Sequence, residues 1–133
     1  MKKRNSLKLL SALCILTVIF LTISLFGMTA KKEMVKKWIF ADGGGQITLK
    51  DVTISFDPGT LTKDTNIRLM YFGEGQYQFG PEIQVNKTFT IFFADAPSGE
   101  SVVMTFKKGE WVELSCINGY VETNHFSRYR GAW

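Results

Sequence analysis

The chain has 133 residues, with 16 lysines and arginines against 12 aspartates and glutamates, one histidine and two cysteines. That length allows one domain of ordinary size, and so few sulfur and imidazole groups exclude a structural zinc site with the usual four ligands. The formal charge of +4 is uneven: Trp38 to Trp133 hold eight basic and eleven acidic side chains, a balance of −3, and no run there interleaves basic with aromatic residues, so nucleic acid is not an expected partner.

The chain opens on Lys2, Lys3, Arg4 and Lys8, and Leu9 to Met28 follow as twenty residues without a charge. As a helix this run would be about 30 Å long, the thickness of a bilayer core. It exceeds the roughly 7–15 apolar residues of a cleavable signal, and Met28-Thr29-Ala30 is a poor cleavage site with Lys31 and Lys32 directly after it. Residues 1–30 are therefore expected to be a signal-anchor in the cell membrane, with secretion after cleavage as the alternative. Four positive charges precede the span and "KKEMVKK" after it carries a net three, a bias that places the N-terminus in the cytoplasm and the C-terminal domain outside it. Cys14 lies within the apolar run behind Leu13, which is not a lipoprotein pattern, and it shares no compartment with Cys116. Cys116 is expected as a small buried hydrophobe. Residues 31–43 read as a basic juxtamembrane linker, in which "KKEMVKKWIF" extends the membrane helix by a turn or two at most before "DGGGQ" ends it.

From residue 44 to 133 the pattern is that of strands. "QITL" leads to "DVTISF", where Val52, Ile54 and Phe56 alternate with Thr53 and Ser55. After the turn "DPGT", "NIRLMY" alternates again; "GEGQYQFGPE" reads as a glycine-rich connection, and "EIQV" and "TFTIFF" as two further strands. "SVVMTF" and "EWVELS" flank the hairpin turn "KKGE", and Asn118-Gly119 is the strongest hairpin signal in the chain, introducing "YVETNHFSRY" as the last strand. Short strands at regular spacing, with no sustained helical period, predict an all-β fold, a small antiparallel β-sandwich or barrel preceded by one N-terminal helix.

Few residues suggest chemistry. "ADGGGQ" lacks the lysine and the following helix of a phosphate loop. The carboxylates Asp42, Asp51, Asp57, Asp64, Glu74, Glu82, Asp95 and Glu100 are dispersed over turns and give no calcium-loop spacing; no metal and no cofactor is expected. Trp111, Tyr120, Tyr129 and Trp133 are candidates for stacking on an envelope polysaccharide, although such rings commonly fill a core. In "NHFSRY", a strand would put His125 and Ser127 on one face and Phe126 on the other. His125 is then placed as a base for Ser127, whose hydroxyl could attack the Phe126 carbonyl, exchange the amide for an ester and so cut the chain.

"DVTISFDPGTLTKDTNIRL", "YQFGPE" and "HFSRY" together resemble the opening strands, the F-x-P connection and the closing HFS-x-Y segment of ZU5 domains, over residues 44 to about 130. The resemblance, to a bacterial, membrane-anchored or secreted form, implies a β-sandwich used in protein–protein assembly. In some members it also implies self-cleavage within HFS, which would fall here between Phe126 and Ser127. Only seven residues, Ser127 to Trp133, lie beyond that bond, and cleavage would free no domain. The expectation is a tethered, non-catalytic module with a protein partner, using a sheet edge or the loops "GEGQY" and "DAPSGE".

Overall fold

The computed structural model describes residues 32–133. The anchor expected over Leu9 to Met28 lies outside the described residues. Among the described residues no helix is long and apolar enough to cross a membrane, and the fold is all-β. Ten strands run in chain order: β1 (Glu33–Ile39), β2 (Gly45–Leu49), β3 (Val52–Phe56), β4 (Thr65–Gly73), β5 (Gln76–Gly80), β6 (Phe89–Phe93), β7 (Glu100–Lys107), β8 (Glu110–Ile117), β9 (Tyr120–Thr123) and β10 (Arg128–Gly131). They form one sheet in the order β1-β4-β5-β10-β7-β8-β9-β6-β3-β2, and every pairing is antiparallel.

The two ends of this order come together, so the sheet nearly closes into a barrel. β1 and β2 are joined by a tight turn with a bridge between Phe40 and Gly44, and the Lys37 ammonium donates to the Gln46 carbonyl at 2.9 Å. Lys50, just beyond β2, pairs with Glu33 at 3.0 Å. Gly44 has φ +64°, and a side chain there would run into the Phe56 carbonyl; only glycine lets the first turn lie this close to β3. Closure matters because an unpaired strand edge invites association with other chains.

Period-two alternation builds the core. Val52, Ile54 and Phe56 from β3, Phe89, Ile91 and Phe93 from β6, Ile67 and Leu69 from β4, and Tyr77 and Phe79 from β5 are all buried. Cys116 is a buried free thiol in this cluster. Asn118 (φ 49°) and Gly119 (φ 84°) make the expected turn between β8 and β9.

The architecture differs from the sequence reading in four places. The segment expected as a linker over 31–43 contains β1, which aligns from Glu33↔Tyr71 to Ile39↔Thr65 with β4. It was illegible because only its last residue is fully buried: the strand is held by main-chain pairing, and its polar alternation carries no core signal. "GEGQYQFGPE" contains β5, which turns only Tyr77, Phe79 and Gly80 inward. "EIQV" is not a strand; its one pairing is an isolated bridge of Val85 to Leu61. Finally, "YVETNHFSRY" is two strands, β9 and β10, separated by residues 124–127.

Candidate functional site

The interruption at 124–127 follows from topology. β9 lies beside β6 and β8, whereas β10 is inserted between β5 and β7. Residues Asn124 to Ser127 must therefore carry the chain across one end of the barrel, and their side chains seal it. Phe126 is buried, 4.9 Å from the Phe89 ring and stacked 6.1 Å from Phe56. Tyr129 is fully buried and stacks on Phe79 at 4.6 Å.

Polar groups lock this crossing. The Tyr129 hydroxyl donates to the His125 carbonyl at 2.5 Å and lies 3.0 Å from the Thr123 hydroxyl. That hydroxyl accepts the His125 amide at 3.2 Å. A tyrosine hydroxyl bonded to a carbonyl four residues upstream is the device that fixes corners in β-sandwiches. Burial pushes the Tyr129 phenol above its ordinary value, against the lowering effect of its bond to Thr123. Ser127 ties the entry of β10 to both neighbours: its hydroxyl donates to the Phe106 carbonyl of β7, and its own carbonyl accepts the Phe79 amide at 3.1 Å.

In this crossing, which is not a strand, Phe126 enters the core while His125 and Ser127 are half-buried on a cleft of about 380 Å³. Its other walls are Arg68 and Met70 of β4, Gln78 to Glu82 at the end of β5, the β7–β8 turn with Lys108, and Arg128. In this arrangement the Ser127 proton is engaged with Phe106, away from His125. The residues that carry the cleavage reading therefore work here as a fastening: the hydroxyl and carbonyl of Ser127 bind β7 and β5 on either side of the incoming strand.

A second feature lies on β8, and sequence analysis did not locate it. Residues 110–117 pair with β7 throughout, from Lys107↔Glu110 to Glu100↔Ile117. On the other side only Ile117 pairs, with Tyr120, because β9 turns away to follow β6. The Asn118 amide donates to Gly99 directly opposite, so hydrogen-bonded pairs fall on alternate residues back along the ladder. Trp111, Glu113 and Ser115 consequently turn their amides and carbonyls away from β7, and among the described residues no strand pairs with them. Half-buried Leu114 and exposed Val112, Ile117 and Tyr120 line this opening, and Leu114, Ile117, Tyr120 and Glu122 wall a groove of about 410 Å³.

The other candidates separate. Tyr129 is fully buried and cannot stack on a sugar, because its ring completes the core under β10. Trp111 has the Arg130 guanidinium 4.4 Å over its ring and Phe106 against its edge. Tyr120 packs on Phe92 at 4.7 Å, and Trp133 sits edge-on to Phe93 with its indole N–H 3.3 Å from Asp95. Tyr120 and Trp133 line separate cavities. Asp51, Glu74 and Asp95 do line one cavity at the other end of the sheet, but among the described residues no three ligand side chains are close enough to hold a metal ion. Comparison with protein-family models, with curated proteins and with solved structures gave no match.

Proposed function

We propose that this chain is a membrane-tethered, extracytoplasmic, non-catalytic protein-interaction module that works by strand addition at β8. The observation that carries the reading is the unpaired outer side of Trp111 to Ser115, in the middle of the strand order of a sheet whose end strands β1 and β2 come together. An extended segment laid there gains main-chain hydrogen bonds, and the groove beside Leu114, Ile117 and Tyr120 takes its apolar side chains. Glu113 on β8 and Glu122 on the groove wall are exposed, so the complementary strand alternates apolar with basic residues. Tethering rests on the uncharged run from Leu9 to Met28, and confinement to the membrane raises the effective concentration of neighbouring partners. The kinship with ZU5 domains, and a sandwich-like description of the nearly closed sheet, rest on the opening strands and on the HFS-x-Y segment. The hydroxyl bond of Tyr129 to the His125 carbonyl gives that segment a structural reason to exist without cleavage.

The test uses the full chain in its native membrane with a photo-crosslinker at Ser115. A crosslinked species in the carbonate-washed membrane pellet is expected, and Glu113→Pro should abolish it while leaving the fold intact. The Glu113 amide is not part of the β7 ladder, and proline is tolerated at such edge positions. Crosslinking unchanged by Glu113→Pro contradicts strand addition; recovery of a soluble chain beginning at Lys31 contradicts the tether.

A further inference from the structure

The cleft beside the 124–127 crossing has a charge opposite to that of its surroundings. Three of the eight basic side chains between Trp38 and Trp133 line it, Arg68, Lys108 and Arg128, together with His125. Of the eleven carboxylates in the same span only Glu82 does. The one ion pair among the described residues joins Lys50 to Glu33, so none of the three cations is neutralised by a carboxylate within ion-pair distance. A fold that gathers cations from three separate strands and turns and leaves them unpaired incurs mutual repulsion, which a bound anion relieves.

The geometry is specific as well as positive. Arg68 stands opposite Gly80 across the β4–β5 ladder, and a methyl group at Gly80 would lie 3.3 Å from its Nη2. The absence of a side chain at Gly80 lets the guanidinium lie flat against the strand at the cleft wall. The Arg128 guanidinium is held between two rings, with its carbon 5.9 Å from the centroids of both Phe72 and Phe106; such contacts restrain the stem while leaving the forked donors free. Gln78 adds an amide to the same wall. Two arginine forks and a lysine around one hollow are a donor set for a multiply charged oxyanion with several acceptor oxygens. A volume of about 380 Å³ exceeds that of a bare ion and leaves room for the group that carries it.

We infer that this cleft binds a phosphate group, either as a free phosphate ester or as a phospholipid headgroup, through Arg68, Lys108 and Arg128. The site is separate from the β8 edge, and although His125, Phe126 and Ser127 form part of its wall, binding there needs no cleavage of the chain. None of the three cations is required for the barrel core, since Arg68, Lys108 and Arg128 are all exposed, so their substitution tests binding without unfolding the domain.

The experiment uses the isotope-labelled full chain in a non-ionic, phosphate-free detergent, titrated with inorganic phosphate and with glycerol 1-phosphate at constant ionic strength. Saturable amide shifts are expected at Gln78, Gly80, Ser127 and Arg128, and affinity in R68Q/R128Q should fall about ten- to a hundredfold, as for the loss of charge-assisted hydrogen bonds. Transfer to nanodiscs of phosphatidylcholine with or without phosphatidylglycerol separates the sources. Shifts that appear in the anionic bilayer without added phosphate assign the site to a headgroup; shifts that need added ester assign it to a free ligand. No saturable shift with any of these probes, or equal shifts in wild type and R68Q/R128Q, overturns the assignment.

Discussion

Replacing Phe126 with alanine is expected to destabilise the domain by about 3–5 kcal/mol, the range for removing a large aromatic side chain from a packed core. The ring is buried at the end of the barrel between Phe56 and Phe89. Small domains have about 5–15 kcal/mol of stability in total, so this one change removes a large share of it. Urea unfolding of the full chain in detergent, followed by tryptophan fluorescence, measures the effect. Ser127→Ala on the same assay should cost far less, near the ~0.5–1.5 kcal/mol of a single hydrogen bond. The contrast separates the two roles of the motif: Phe126 seals the core, and the Ser127 hydroxyl fastens the incoming strand.

Tyr129→Phe is expected to cost about 1–3 kcal/mol although it removes one oxygen, because the His125 carbonyl and the Thr123 hydroxyl lose their common partner in a buried setting. It also alters the response to alkali. Burial pushes Tyr129 up, and it pushes Tyr77 up to about 12, both from an ordinary value near 10.0. The folded state therefore holds these protons more tightly than the unfolded chain. Their stabilising contribution is complete below the unfolded value, near pH 10, and is lost as pH rises through the folded values, towards about 12 for Tyr77. Denaturant midpoints should be flat on the neutral side of that window and fall within it, and Tyr129→Phe should fall less steeply than wild type. An equal alkaline slope in both proteins would show that the Tyr129 hydroxyl is not held as described.

Among the strands legible in the sequence, β3, β6 and β9 bury every second residue. They present Val52, Ile54 and Phe56, then Phe89, Ile91 and Phe93, then Val121 to one core, and alternation reports that directly. β1 and β5 were hidden for opposite reasons. The exposed Lys36, Lys37 and Trp38 of β1 mask a strand held by its neighbour, whereas in β5 the surrounding glycines and glutamines outweigh Tyr77 and Phe79. The apolar Phe126 between two polar residues was readable in "HFS", but the break from strand geometry was not, because that follows from the insertion of β10 between β5 and β7. Neither surface proposed to bind was visible in one dimension. The open edge exists because β9 leaves β8 after one pair, and the basic cleft exists because register brings Arg68, Lys108 and Arg128 together. The sequence itself shows no basic run in this region; long-range pairing makes one.

The unpaired edge of β8 is directly visible to amide hydrogen exchange read residue by residue. In the free protein Val112, Leu114 and Cys116, whose amides face β7, are expected to be protected, while Trp111, Glu113 and Ser115 exchange at rates close to those of the exposed turns. A strand partner should then protect Trp111, Glu113 and Ser115 selectively. Uniform protection along β8 in the isolated protein would mean that the edge is already covered, and would contradict the account.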